Sequence, residues 1–320
     1  MIGNPGRRAL LLSAAAALLV SGCRPGADSG PSLSGQQTAA QATPEAPTSA
    51  TAPAASATVK PPVTPQLTPA VTPPVTPAPA VTTTPSHEQI AARFAGHVPS
   101  YWGLEAPKVL RVLTAPAAGI ALTLDFCGGP RGSGVDHAAL DMLQRLQVPA
   151  TLFMNARWIH ANRSLAGDLA AVPFFELANH GSQHLPLSVA GHSAYGIPGT
   201  QSSLQVYDEI MTNDKLLTEV TGKRPRFFRP GTAFLDEVAA EICHALGTIP
   251  AGFSINADGG ATYPKELVAE ATAKARPGDI IISHGNQPGS GTAAGLAMAI
   301  PVLLDRACAF TTLSAGVPSP

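Results

Sequence analysis

From about residue 89 onward, short apolar runs recur at 120–125, 150–154, 174–178, 226–229, 251–255, 279–283 and 309–313. Between most of them the spacing of apolar positions becomes helical. Val135 to Gln147 places Ala138, Leu140, Leu143 and Leu146 on one broad face. Leu204 to Val220 is similar, with Gly222 as its stop, and Phe234 to Leu246 ends at Gly247. Pro264 predicts another helix, with the proline at the first position, where its missing N–H is tolerated. Strands alternating with helices imply parallel pairing. Seven strand candidates over roughly 230 residues fit one closed or nearly closed α/β barrel, with an open doubly wound sheet as the alternative. No Gly-x-Gly-x-x-Gly turn follows the first strand, which disfavours a dinucleotide fold.

The chain before this region has a different character. Residues 24 to about 88 repeat Pro, Thr and Ala in phrases such as Val-Thr-Pro-Pro-Val-Thr-Pro. Such a composition buries too little apolar surface to offset its ordering entropy, so a disordered tether is predicted. Ahead of it, Arg7 and Arg8 precede the apolar stretch Ala9 to Val20, which is too short to span a membrane as a stop-transfer helix. Val20-Ser21-Gly22-Cys23 resembles a bacterial lipobox, which implies cleavage before Cys23 and lipidation of its thiol and new amino terminus. An ordinary signal peptide with an incidental cysteine is the alternative. The expected organisation is a signal peptide at 1–22, lipidated Cys23 and tether over 23–88, and a folded domain over 89–320. It places the protein outside the cytoplasm, lipid-anchored to a bacterial membrane. The formal charge of -1 offers no basic field for nucleic acid. Of four cysteines, three remain if Cys23 is lipidated, so at least one is unpaired within the chain. A Cys243–Cys308 bridge and two separate buried thiols both fit.

Polar residues end five of the predicted strands or the loops after them. They are Asp125, the His180-Gly181-Ser182-Gln183-His184 segment, Arg229-Pro230, Asp258 and His284. A barrel gathers the carboxyl ends of its strands on one face, so these residues are expected to be neighbours. The set suits metal-assisted hydrolysis, which needs ligands, a base for water and an acid for the leaving group. His180 and His184 have the i,i+4 spacing that can place two imidazoles on one metal; two solvated loop histidines are the bland alternative. Asp125 reads as a general base, a metal ligand or both, or else as a turn-initiating Asp before Gly128 and Gly129. Arg229 is placed to keep it ionised. His284 is expected to protonate a departing amine, with Asp258 raising its pKa and fixing its tautomer. Asn286 and Gln287 lie in a Gly-rich loop whose amides suit hydrogen bonds to sugar hydroxyls, unless that loop is only a flexible connector.

Residues about 118 to 316 resemble a polysaccharide deacetylase domain of the NodB-homology type, carbohydrate esterase family 4. The family's first motif, Thr-Phe-Asp-Asp-Gly, corresponds to Thr123-Leu124-Asp125-Phe126-Cys127-Gly128. The histidine motif corresponds to His180–His184, the Arg-x-Pro-Tyr motif to Arg229-Pro230-Gly231, the fourth to Asp258, and Leu-x-His to Ile282-Ser283-His284. The resemblance implies a distorted (β/α)7 barrel preceded by the disordered linker, a zinc-type Asp-His-His site, and removal of acetyl groups from amino sugars or, in some members, from oxygen. Acetylated polysaccharide or a peptidoglycan-type glycan is the expected partner of a monomer. One position departs from the pattern: Phe126 stands where the family has its metal-binding Asp. Three outcomes stay open, namely Asp125 ligating directly, Cys127 supplying a thiolate, or loss of metal and catalysis. The last would leave a carbohydrate-binding pseudoenzyme. The third motif lacks its Tyr, so a Gly231 or Thr232 amide is expected to serve the oxyanion. The fourth lacks the family's Trp.

Overall fold

The computed structural model describes residues 84–115 and 119–318. The expected signal peptide, the lipidation site at Cys23 and the tether as far as residue 83 lie outside the described residues. Chain order runs α1 (His87–Arg93), β1 (Trp102–Gly103), β2 (Ile120–Phe126), α2 (His137–Arg145), β3 (Ala150–Met154), α3 (Ala156–Ala161), α4 (Arg163–Ala170), β4 (Phe175–Asn179) and α5 (Ser203–Thr221). It continues with β5 (Phe227–Phe228), β6 (Leu235–Asp236), α6 (Glu237–Ala245), β7 (Ile249–Pro250), β8 (Ile255–Asn256), α7 (Lys265–Ala273), β9 (Ile280–His284), α8 (Thr292–Asp305), β10 (Phe310–Thr311) and α9 (Leu313–Gly316).

A curled parallel sheet in the order β7-β5-β4-β3-β2-β9-β8 forms the centre, with β10 parallel to the start of β2. The sheet curls into the expected distorted α/β barrel, with β7 and β8 at its two edges. All seven residues of β2 are buried, because helices cover one face of the sheet and side chains fill the other. Strand parity separates the two faces. Ile120, Leu122, Leu124 and Phe126 pack outward into the core shared with Leu140 and Leu143 of α2 and Leu296 and Ile300 of α8. Ala121 faces inward, in the core shared with Phe153, Ala178, Phe227 and Ile280. Burying each of the larger side chains among these contributes roughly 1.5–3 kcal/mol before entropy is counted.

The distortion arises where the barrel closes. The predicted strand at 251–255 is instead split between β7 and β8, which lie at opposite edges of the sheet. Ala251 to Ser254 carry the chain from one edge to the other. Their polar groups are held from the sides: Leu110 takes the Pro250 carbonyl and gives its own to Gly252, and the Ser254 amide donates to Ile280. Leu113 then donates to Gly278 near the start of β9, so irregular backbone replaces a closing ladder.

Other boundaries moved for local reasons. The helix expected from Phe234 starts at Glu237, because Leu235 and Asp236 pair antiparallel with β1 and the Asp236 side chain caps the Ala239 amide. Pro264 is the N-cap of α7 rather than its first helical residue. The run at 309–313 gives only a two-residue strand, since Thr312 caps α9. Helices α1, α3, α4, α8 and α9 were not among the expected elements. The Cys243–Cys308 bridge is absent: both thiols are free, and the two residues pack in different cores.

Candidate active site

The parity that builds the two cores also aims the site. Beyond Phe227, Phe228 turns outward and Arg229 inward; beyond Ile280 and Ile282, His284 follows on the inner side. On β2 the same rule turns Asp125 in and Phe126 out. Phe126 packs on Trp158 with ring centroids 4.6 Å apart and is fully buried among apolar residues. Gly285 leaves room for that ring, which a Cβ would strike. The position expected to weaken the site is therefore not in it. Cys127, one residue further, returns to the inner side and lines the cavity.

Asp125 and Arg229 form a buried ion pair, Nη1 donating to Oδ1 over 2.7 Å. Arg229 also donates to Thr123 Oγ1, to the Ala251 carbonyl and, at 2.8 Å, to the Gly252 carbonyl. Its guanidinium lies 4.2 Å from the centre of the Phe153 ring. With these partners the fully buried charge is satisfied, and it pins the segment that closes the barrel.

His180 Nδ1 lies 2.9 Å from the Arg229 carbonyl, so it is assigned as the donor and Nε2 keeps its lone pair. Nε2 lies 3.7 Å from Cys127 Sγ and 3.8 Å from Asp125 Oδ2. Cys127, His180 and His184 form a cluster whose ligand atoms all lie within 4.8 Å of one another, the one such group among the described residues. Two imidazoles and a thiol match the preferences of a borderline divalent metal such as zinc. Burial works against a charged Cys127, yet His184, His180 and His284 hold its pKa well below the usual thiol range. Burial likewise opposes protonation of His180, but Asp125 and Cys127 outweigh it and raise its pKa.

Across the cavity, the Asp258 carboxylate accepts from His284 Nδ1 at 2.9 Å, from the His284 amide and from Thr292 Oγ1. Burial would raise the Asp258 pKa, but bonds from His284 and Thr292 lower it. Burial alone would lower the His284 pKa, and Asp258 and Cys127 instead push it well above the usual imidazole value.

The cavity between these groups has a volume of about 660 Å³. Asp125, Cys127, His180, His184 and His284 line it, with Phe253, Tyr195 and Tyr263 among its apolar walls. Thr232, Asn286 and Gln287 also line it. The oxyanion role expected of Gly231 or Thr232 is not available: the Gly231 amide donates to Leu185 and the Thr232 amide to Pro230. Gly231 instead lies against the His184 backbone, which a Cβ there would meet at 2.3 Å. The amides of Asn286 and Gln287 bind the carbonyls of Gly132 and Arg131, leaving the buried Asn286 Oδ1 without a protein partner. Sequence reasoning missed the support beneath the histidines. Glu209 accepts from Ser182 Oγ and from the Gln183 and Leu185 amides, while Asn155 donates to the His180 and Gly181 carbonyls. The available signal was Glu209 and Asn213 lying in the buried stripe of α5 with Val206 and Ile210.

Residues 113–250 match the family model described as polysaccharide deacetylase, a span that stops short of Asp258 and His284. Solved structures share the fold. A family 4 pseudoenzyme from Bacillus anthracis superposes with a TM-score of 0.51 at 19% identity, over 61% of this chain and 63% of that one. The present chain thus spans less than two thirds of that protein. A peptidoglycan N-acetylglucosamine deacetylase gives 0.55 at 20% identity, over 66% and 92% of the two chains. A family 4 acetyl xylan esterase from Clostridium thermocellum, in complex with cobalt, gives 0.51 at 24%, over 62% and 92%. Comparison with curated proteins found no match.

Proposed function

We propose that this chain, with its polysaccharide deacetylase match and barrel, is a metal-dependent hydrolase that removes acetyl groups from the N-acetylated amino sugars of a cell-envelope polysaccharide. One observation carries the reading: the Asp125–Arg229 pair, the His180–His184 cluster and the Asp258–His284 dyad face one another across a single cavity. His180 and His184 would hold a divalent metal, zinc by the chemistry of the donors, with a third donor from the Asp125–Cys127 segment. Such an ion polarises an acyl carbonyl and acidifies a water.

The remaining work falls to the protein's own groups. Arg229 occupies Oδ1 of Asp125 and fixes the carboxylate, which leaves Oδ2 to accept the proton of the attacking water. Asp258 holds Nδ1–H of His284, which leaves Nε2 to deliver a proton to the departing amine. Tyr195, Tyr263 and Phe253 offer apolar faces to sugar rings. Export, with a lipid on Cys23 and a 23–88 tether, would present a monomeric domain to the envelope glycan outside the cytoplasm.

The test is acetate release by the full chain, supplied with zinc, from N-acetylated glycan oligomers. Release abolished by a chelator and restored by zinc is the expected result. Glycan binding without acetate release would favour the other reading, a sugar-binding pseudoenzyme. Phe126 at the family's metal position motivates that rival; its outward packing against Trp158 removes most of the force of the motive.

A further inference from the structure

We propose that Cys127, and not Asp125, is the third protein ligand in a Cys-His-His centre suited to zinc or another thiophilic cation, leaving Asp125 free as the base. The inference rests on the metal-dependent reading above and names the donor set of that site.

Geometry separates the two candidates. Cys127, His180 and His184 are mutually within ligand distance, and Asp125 is not a member of that cluster. Around a tetrahedral zinc with S and N bonds of about 2.3 and 2.05 Å, the two donor atoms stand about 3.6 Å apart. Cys127 Sγ and His180 Nε2 are 3.7 Å apart. Asp125 Oδ2 also approaches His180 Nε2, at 3.8 Å, so the distinction rests on His184: Cys127 joins both histidines in one cluster and Asp125 does not.

The backbone around Cys127 is built to hold it in place. Gly128 follows at φ +70, and a Cβ there would meet the Trp158 amide nitrogen at 2.5 Å. Arg157 Nη2 donates to the Cys127 carbonyl, and Phe126 is anchored on Trp158. The thiol is thus delivered by a turn fixed on both sides. Thiolate donors select zinc and cobalt over magnesium and manganese, which prefer oxygen.

The probe is cobalt(II) added to the full chain, read by absorption. Intense near-ultraviolet sulfur-to-cobalt charge transfer is expected, and it should persist in Asp125→Asn. Cys127→Asp should still bind cobalt but lose that absorption, and Cys127→Ala should lose zinc affinity by about 100-fold or more, since even outer-shell partners are worth 10–100-fold. Thermal melts of each variant establish that it is folded. Cobalt bound without charge transfer would overturn the proposal while leaving metal-dependent deacetylation standing. Charge transfer that survives Cys127→Asp would overturn it too. Failure of the folded parent to bind either metal would overturn both, and acetate release then judges the hydrolase reading separately.

Discussion

Arg229 holds Asp125 with a 2.7 Å charge-assisted hydrogen bond while the same guanidinium grips the carbonyls of Ala251 and Gly252. The residue that poises the candidate base is thus also the residue that fastens the barrel's irregular closure. Chemistry and stability meet in one side chain. Arg229→Ala should therefore lower unfolding free energy by about 3–5 kcal/mol, the range for breaking a buried pair. Urea denaturation checks this. Asp125→Asn is the informative contrast: it keeps the shape and should reduce turnover by about 10²–10⁴-fold. Equal turnover in Asp125→Asn would remove Asp125 as the base.

His284→Ala should reduce turnover by a similar factor of about 10²–10⁴ while leaving zinc affinity unchanged, because His284 lies outside the ligand cluster. Calorimetric zinc titration beside acetate release separates the two effects. Asp258→Asn should give a smaller loss, since the imidazole remains but its Nδ1 proton is no longer held by a charge. A variant that loses zinc would place His284 among the ligands instead.

Gly231→Ala should damage the site without touching a catalytic group. Its Cβ would collide with the backbone of His184 at 2.3–2.5 Å, contacts that backbone cannot relieve by rotation. Displacing that histidine should weaken zinc binding by about 10-fold or more. Unchanged affinity would show that His184 is not a ligand or that the loop yields freely.

Glu237, which is not among the cavity-lining residues, gives a pH-dependent latch. Its carboxylate accepts from the amide and hydroxyl of Ser100 and from the Tyr101 amide. Slight burial opposes the charge, but these bonds hold the pKa at about 2 against the usual 4.5. A depressed folded-state pKa stabilises the fold above pH 4.5, and that contribution drains away as pH falls toward 2. Solvent screening limits it to roughly 1 kcal/mol or less. The melting temperature of Glu237→Gln should fall below the parent's at pH 6, and the two should converge near pH 2. A constant gap would mean the latch works through shape and not charge.

Much of the fold was legible because strand and helix periods are local properties. The runs at 120–125, 150–154 and 279–283 became strands with at most a one-residue shift at either end, and the helix expected over 204–220 is α5 at 203–221. The run at 251–255 misled, because its backbone is satisfied by Leu110, Ile280 and Arg229, all remote in sequence. Asn286 and Gln287 looked like free amides. Only the folded loop shows that they are spent on Gly132 and Arg131.

By itself the sequence determined which residues stand at strand ends, and the two-residue period of a strand put Asp125 and Phe126 on opposite faces. Tertiary structure alone decided the rest. It brought Cys127 to 3.7 Å from His180, separated Cys243 from Cys308, and placed Arg229 where it both poises Asp125 and closes the barrel. The division has a simple physical cause. Parity is set by neighbouring dihedrals, whereas donor-to-donor distances depend on how distant strands curl, which packing and buried hydrogen bonds fix together.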